Sequence, residues 1–107
     1  LNDGAYGALM EVKFMHFTPP VRVWRGPRLH DNDGNFSDFT VWGPTCDSYD
    51  VLPQIFTLPS DVDEDDWVEF GLMGAYTQAS LTPFNGFDRR DQYWVEEVYT
   101  GKEMIEE

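Results

Sequence analysis

Cysteine is nearly absent from this 107-residue sequence: Cys46 stands alone, so no internal disulfide can form. Basic residues are also scarce, with 7 Lys and Arg against 20 Asp and Glu, and the formal net charge is −13. Such an acidic chain is a poor match for nucleic acid, whose phosphates need a basic face. Apolar runs are too short for a membrane-spanning helix, which needs roughly 18 residues. We therefore expect neither a nucleic-acid partner nor a membrane partner.

What the sequence does contain is enough apolar material to fold. Hydrophobic residues make up 41% and aromatic residues 16% of the chain, which argues against disorder. The length fits one domain over residues 1–107. No secretory leader is visible, and a lone thiol suits a reducing compartment, so we expect a cytoplasmic protein. The chain opens on Leu1 rather than Met, as expected of a processed chain or of a piece of something longer.

Short β-forming segments separated by Pro, Gly, Asn and Asp dominate the sequence. We count six to eight such strands and at most one or two helical turns, near residues 49–52 or 103–107. This pattern predicts an all-β barrel or sandwich rather than alternating strands and helices. The clearest candidate strands are residues 9–17, 21–25, 39–42, 51–58, 67–73, 76–82 and 93–99.

Two acidic runs begin like calcium-binding loops, at residues 31–35 and 61–65. Neither run continues with the glycine and the glutamate that such a loop requires. The two histidines and Cys46 show no metal-ligand spacing either. We therefore predict solvated turns and no metal site.

One segment places a potentially reactive group at the end of a strand. In Gly-Pro-Thr-Cys-Asp, residues 43–47, a rigid Gly-Pro turn holds the Cys46 thiol beside the Asp47 carboxylate. A carboxylate there suits a cationic group, and a neutral thiol can donate a proton. A lone cysteine is nevertheless usually a small buried apolar residue. Two further segments, residues 71–77 and 84–87, are most simply tight turns, and the first lacks the Lys of a P-loop.

Three segments in their order resemble a known family. They are Asn-Asp-Gly-Ala-Tyr-Gly at residues 2–7, Trp-Gly-Pro-Thr-Cys-Asp at 42–47, and Met-Gly-Ala-Tyr-Thr at 73–77 followed by Phe-Asn-Gly-Phe at 84–87. Together they resemble the C-terminal β-domain of the ornithine/lysine/diaminopimelate/arginine decarboxylases, pyridoxal-phosphate enzymes of the alanine-racemase fold type. The resemblance covers residues 1–98. It is strongest to the ornithine decarboxylase branch, because Asp47 stands where diaminopimelate enzymes usually carry glutamate.

The resemblance implies roles for individual residues. Cys46 matches the residue that protonates the substrate's α-carbon after carbon dioxide leaves. Asp47 matches the acid that binds the distal ammonium of the substrate. Tyr76 matches the tyrosine that hydrogen-bonds the cofactor phosphate, and Tyr6 and Phe84 match aromatic residues that line the site.

The resemblance also implies partners that this chain lacks. In the family an N-terminal (β/α)₈ barrel carries the lysine that binds pyridoxal 5'-phosphate. Lys13 and Lys102 are the only lysines here, and neither lies in such a context. The family's active sites are shared between the two subunits of a homodimer. We therefore expect a fragment that is inactive alone and that belongs to an enzyme converting ornithine to putrescine in polyamine biosynthesis.

One position departs from the family pattern and leaves the substrate open. Met15 stands where animal-type ornithine decarboxylases carry a second acid, and Glu11 could replace that acid only through a shift in register. Lysine and diaminopimelate therefore remain alternative substrates. Two other classes also remain: a non-catalytic decarboxylase-like regulator, and an independent β-domain that binds an amine at Asp47.

Overall fold

The computed structural model describes residues 1–74 and 77–87. Two antiparallel sheets dominate these residues, so the prediction of an all-β domain is confirmed, with two short helices added. In chain order the elements are α1 (Met10–Met15), β1 (Val21–Arg25), β2 (Arg28–His30), β3 (Phe36–Trp42), β4 (Val51–Pro59), β5 (Trp67–Phe70) and α2 (Thr77–Ser80). The expected strand at residues 93–99 and the expected helical turn at 103–107 lie outside the described residues.

The first sheet has the order β2-β1-β5, with β1 in the centre. The predicted bounds of β1 are confirmed, and Val23 in its middle is paired with His30 on one side and Val68 on the other. A tight turn at Gly26, with a φ of +60°, reverses the chain into β2. The sequence does not predict strand β2, because it is only three residues long and directly follows the Gly-Pro turn at residues 26–27.

The second sheet pairs β3 with β4, and Phe39 lies opposite Phe56. Strand β4 continues through Pro53, although proline normally interrupts a sheet. The register between the strands shifts between Thr40 and Trp42, and Pro53 falls in that irregular stretch. A bulge leaves ladder positions unpaired, so the missing N–H of proline is tolerated there.

The expectation of a strand over residues 9–17 is wrong, because Met10–Met15 forms helix α1. The buried residues Leu9 and Val12 are three positions apart, which is a helical rather than an alternating spacing. The helix ends at His16, which has a left-handed backbone with a φ of 54°.

Two further expectations on local structure are also wrong. Thr77–Ser80 is helix α2, where a strand over residues 76–82 was expected. The helical turn expected at residues 49–52 is instead the end of a loop and the start of β4. In both places the pattern was too short to separate helix from strand, and packing decided the outcome.

The core lies between helix α1 and the two sheets, since both α1 and β1 pack against β4. Phe56 is 1% exposed, and its ring meets that of Phe70 edge-on with centroids 5.6 Å apart. Neither of the two described helices is long enough to cross a membrane. The buried apolar residues of the described part are Ala5, Leu9, Val12, Val23, Val41, Leu52, Phe56 and Leu58.

Candidate active-site residues around Asp47

The loop between β3 and β4 is built around one buried carboxylate. Asp50 is only 1% exposed, and its two oxygens accept hydrogen bonds from the backbone N–H groups of Ala5, at 2.9 Å, and Thr45, at 3.0 Å. Backbone donors on both oxygens replace the water that the carboxylate loses on burial. Asp50 thus ties the N-terminal segment to the loop that carries Cys46 and Asp47.

Two glycines make room for this carboxylate. A Cβ on Gly43 would lie 2.1 Å from Asp50 Oδ1, and a Cβ on Gly4 would lie 2.4 Å from the same atom. Any larger side chain would therefore displace Asp50 from the backbone N–H groups that it binds. The glycines at the start of two of the family-like segments thus have a packing role.

Asp47 is held by two hydrogen bonds. The Tyr6 hydroxyl donates to Oδ2 at 2.5 Å, and the Tyr49 backbone N–H donates to Oδ1 at 3.0 Å. The Tyr49 N–H first, and then the Tyr6 hydroxyl, hold the pKa of Asp47 below its ordinary value. The bond to the Asp47 carboxylate also raises the pKa of Tyr6 to about 12. Asp47 is therefore ionised and Tyr6 is neutral at physiological pH.

Aromatic rings pack around Tyr6, whose hydroxyl binds the Asp47 carboxylate. The ring centroids of Tyr6 and Phe84 are 4.2 Å apart, and those of Tyr6 and Tyr49 are 5.9 Å apart. The chain reaches Phe84 through Thr82, whose N–H and hydroxyl both donate to the Tyr6 carbonyl, at 2.8 and 2.7 Å. Three of the sequence-predicted site residues, Tyr6, Asp47 and Phe84, are therefore brought together.

Cys46 lies next to this cluster in the loop. Its thiol is free and the residue is exposed, so it is not the small buried apolar residue that a lone cysteine usually is. An exposed thiol beside an ionised carboxylate can meet a molecule that binds at Asp47. The remaining predicted residue, Tyr76, lies outside the described residues.

Three residues of this region were missed by sequence reasoning or given no role there: Lys13, Tyr49 and Asp50. The Lys13 ammonium donates to the carbonyl oxygens of Tyr49 and Val51 and lies 3.4 Å from the centroid of the Tyr49 ring. These contacts join residues that are far apart in the chain, so no local pattern reveals them. The sequence hints at Asp50 only by its position, three residues after the segment 42–47 that resembles the family.

Met15 and Glu11, the two residues at which the substrate was left open, both belong to helix α1. Met15 is 66% exposed at the end of α1 and carries no charge. Glu11 accepts a hydrogen bond from the Ser80 hydroxyl at 2.5 Å, so its carboxylate is committed to α2 rather than to Asp47. The structure therefore does not bring the Glu11 carboxylate to Asp47.

The acidic run at residues 61–66 forms ion pairs with the neighbouring sheet. Asp66 pairs with Arg25 at 2.9 Å, and Asp61 lies 2.8 Å from His30 Nε2. The hydrogen bond from Arg25 lowers the pKa of Asp66 to about 2. Within residues 1–74 and 77–87, no group of three or more His, Cys, Asp or Glu side chains could hold a metal ion.

Comparison with known proteins identifies the family of this chain. The family model described as pyridoxal-dependent decarboxylase, C-terminal sheet domain, matches residues 1–74. The ornithine decarboxylase of Schizosaccharomyces pombe is 44% identical over 92 residues, which is 81% of this chain and 21% of that protein. The ornithine decarboxylase of Panagrellus redivivus is 36% identical over 104 residues, or 94% of this chain and 22% of that protein.

Solved structures agree with the sequence comparison. The arginine decarboxylase of Paramecium bursaria Chlorella virus matches with a TM-score of 0.73 and 33% identity, covering 88% of this chain and 24% of that one. The lysine/ornithine decarboxylase of Vibrio vulnificus, complexed with cadaverine, matches with a TM-score of 0.70 and 32% identity, covering 91% of this chain and 25% of that one. The chain thus spans about a fifth to a quarter of the length of these relatives. It belongs to the pyridoxal-dependent decarboxylases, within their C-terminal sheet domain.

Proposed function

We propose that this chain is the C-terminal domain of a pyridoxal-phosphate-dependent decarboxylase that converts ornithine to putrescine, in polyamine biosynthesis in the cytoplasm. The observation that carries the proposal is the cluster in which Tyr6, Asp47 and Phe84 meet beside the exposed thiol of Cys46. The similarity to ornithine decarboxylases of a yeast and a nematode supports the choice of substrate.

Asp47 is suited to hold the distal ammonium of the substrate. Its carboxylate has about four lone-pair positions, and the described hydrogen bonds from Tyr6 and Tyr49 use two of them. Since its pKa lies below the ordinary value, the group stays ionised when a cation approaches. An ammonium group can therefore add a charge-assisted hydrogen bond without displacing either donor.

The rings of Tyr6 and Phe84 form an apolar wall beside this carboxylate. Such a wall suits the methylene groups between the two ends of a diamino acid, which gain from leaving water. Ornithine, with a short apolar stem and a terminal ammonium, has the two features that this wall and Asp47 recognise.

Cys46 is suited to complete the reaction. Loss of carbon dioxide leaves an electron pair on the α-carbon, and a proton must reach that atom for the amine to form. In our proposal the Cys46 S–H supplies this proton as a general acid, and water then restores the thiol. The exposure of Cys46 on this chain fits a role in a site that is completed by another surface.

The described residues fit the substrate side of such a site rather than the side that binds the cofactor. Lys13 is held by two backbone carbonyls and the Tyr49 ring, so it is not a candidate for the lysine that would bind the aldehyde. We propose that a (β/α)₈ barrel supplies that lysine and that Tyr76 of this domain contacts the phosphate. Pyridoxal phosphate, when bound, supplies the electron sink for decarboxylation. We further propose that a homodimer completes each site.

Replacing Asp47 with Asn in the complete decarboxylase tests the proposal. Loss of the charge removes a charge-assisted hydrogen bond worth about 1.5–3 kcal/mol, so KM for ornithine should rise about 10- to 150-fold. The absorbance of the bound cofactor should stay unchanged. The same substitution at the exposed Asp38 serves as a matched control.

An unchanged KM for the Asp47→Asn enzyme would refute the role of Asp47. A panel of ornithine, lysine and diaminopimelate in the unmodified enzyme decides the substrate. A higher kcat/KM for lysine or diaminopimelate would replace ornithine in the proposal but would leave the role of Asp47 standing.

A further inference from the structure

Lys13 is a cation held in a fixed position near the candidate site. Its ammonium donates to the Tyr49 carbonyl and, at 3.0 Å, to the Val51 carbonyl. It also lies 3.4 Å from the centroid of the Tyr49 ring, a distance suited to a cation–π contact. Three contacts from one ammonium group restrict its position to the start of β4.

Tyr49 links this cation to Asp47. Its backbone N–H donates to Asp47 Oδ1 at 3.0 Å, while its carbonyl accepts from Lys13. Two hydrogen bonds and the backbone of one residue separate the two charges, which places them within about 10 Å of each other. The Lys13 charge also helps to hold the pKa of Asp47 below its ordinary value. A cation bound at Asp47 is therefore close enough to be repelled by Lys13.

Hydrogen bonds that do not involve Lys13 also hold Asp47 in place. The Asp50 N–H donates to the Asp47 carbonyl at 3.0 Å, and the Val51 N–H donates to the Tyr49 carbonyl at 2.8 Å. The bonds to the Asp47 carboxylate come from Tyr6 and from the Tyr49 backbone. Loss of the Lys13 ammonium would therefore remove a charge while these bonds keep the carboxylate in place.

The two ionisable side chains of helix α1 have different partners. The Glu11 carboxylate accepts a hydrogen bond from the Ser80 hydroxyl of α2 at 2.5 Å, whereas the Lys13 ammonium donates to the Tyr49 and Val51 carbonyls. Lys13 is the residue of α1 whose charge acts on the Asp47 carboxylate.

We propose that Lys13 is a specificity-determining residue, whose fixed charge weakens the binding of a substrate cation at Asp47. The inference rests on the proposed function, in which Asp47 holds the distal ammonium. At a separation of about 10 Å and an effective dielectric constant of about 25–50, repulsion between two unit charges corresponds to about a 3- to 10-fold loss of affinity. The site therefore distinguishes a diamine from a monoamine of equal length less sharply than Asp47 alone would.

The test compares ornithine, through its KM, with norvaline, used as a competitive inhibitor of the complete decarboxylase. Norvaline has the carbon chain and the α-amino acid end of ornithine but no distal ammonium. Lys13→Met removes the charge and keeps an apolar stem, so KM for ornithine should fall about 3- to 10-fold. The inhibition constant of norvaline, which has no distal ammonium to place at Asp47, should not change. Lys13→Arg keeps the charge and is the matched control, with the parental ratio of the two constants.

The ratio to follow is the inhibition constant of norvaline divided by KM for ornithine, and Lys13→Met should raise it. An unchanged ratio in Lys13→Met, or a higher KM for ornithine, would overturn the inference. An equal change for both ligands would also overturn it, since that result indicates a purely structural role. Lys13→Gln gives a second, polar replacement should the Met variant fail to fold. Asp47→Asn separates the two proposals: if it leaves the ratio unchanged, the proposed function fails. If it reduces the ratio while Lys13→Met does not raise it, only the role of Lys13 fails.

Discussion

Replacement of Asp50 by Ala tests how the loop that carries Cys46 and Asp47 is held. The substitution removes both acceptors of a carboxylate that is 1% exposed and leaves the N–H groups of Ala5 and Thr45 without partners. Each unsatisfied buried donor costs about 1–3 kcal/mol, and relief of the buried charge returns part of that sum. We expect the free energy of unfolding to fall by about 2–4 kcal/mol.

Two measurements check this expectation. Urea denaturation of the purified protein gives the change in the free energy of unfolding. Amide hydrogen exchange should show faster exchange at Ala5 and Thr45, because these two N–H groups lose their acceptor. Asp50→Asn keeps one acceptor oxygen and should lose about half as much stability.

Asp38→Ala is the control for Asp50→Ala. Asp38 is exposed and accepts only a hydrogen bond from the Thr57 hydroxyl among its described contacts. A change within about 0.5 kcal/mol is expected there. The reasoning would be refuted if Asp50→Ala lowered the free energy of unfolding no more than Asp38→Ala and left hydrogen exchange at Ala5 and Thr45 unchanged. In that case the Asp50 carboxylate does not hold the loop.

Two further predictions concern groups with altered pKa values. Tyr6→Phe should remove the tyrosine that ionises at about 12, seen by absorbance titration, and should let the pKa of Asp47 rise because one of its two donors is lost. A variant that keeps the late-ionising tyrosine would contradict the bond to Asp47. Asp66 has a pKa lowered from 3.8 to about 2 by Arg25, so its stabilising effect is present above pH 3.8 and is lost as pH falls towards 2. Asp66→Asn should flatten the acid limb of the stability curve over that interval, and an unchanged limb would contradict the ion pair.

Much of the β structure could be predicted because its signals are local. Strand β1 alternates in a stretch bounded by Pro and Gly, and the Asn-, Asp- and Gly-rich turn at residues 31–35 needs no tertiary contact. The turn contains Asp33 with a φ of 53°, which is the left-handed backbone that such a composition favours.

Helix α1 could not be predicted, because β-forming residues within it favour a strand. Its first residues also include Met, Glu and Lys, which favour helices, so the two propensities compete over six residues. The spacing of Leu9 and Val12 decides the outcome only once the core is known.

The site, like the fold, contains features that the sequence predicts and features that only the structure reveals. Cys46 and Asp47 are adjacent in sequence, so their proximity follows from the chain itself. The contacts of Asp47 with Tyr6 and of Tyr6 with Phe84 join distant residues, and only a family resemblance indicated that they belong to one site. Asp50 and Lys13 bind backbone groups, which are the same in every residue and carry no sequence signal.

The most direct test of the central claim is the product distribution of the complete decarboxylase carrying Cys46→Ala. The account predicts slower turnover of ornithine and the diversion of part of the product to an aldehyde of the transamination type, because the proton no longer reaches the α-carbon reliably. Ser48→Ala, an exposed neighbour in the same loop, should give putrescine alone at the parental rate. Parental turnover and no aldehyde from Cys46→Ala would contradict the account.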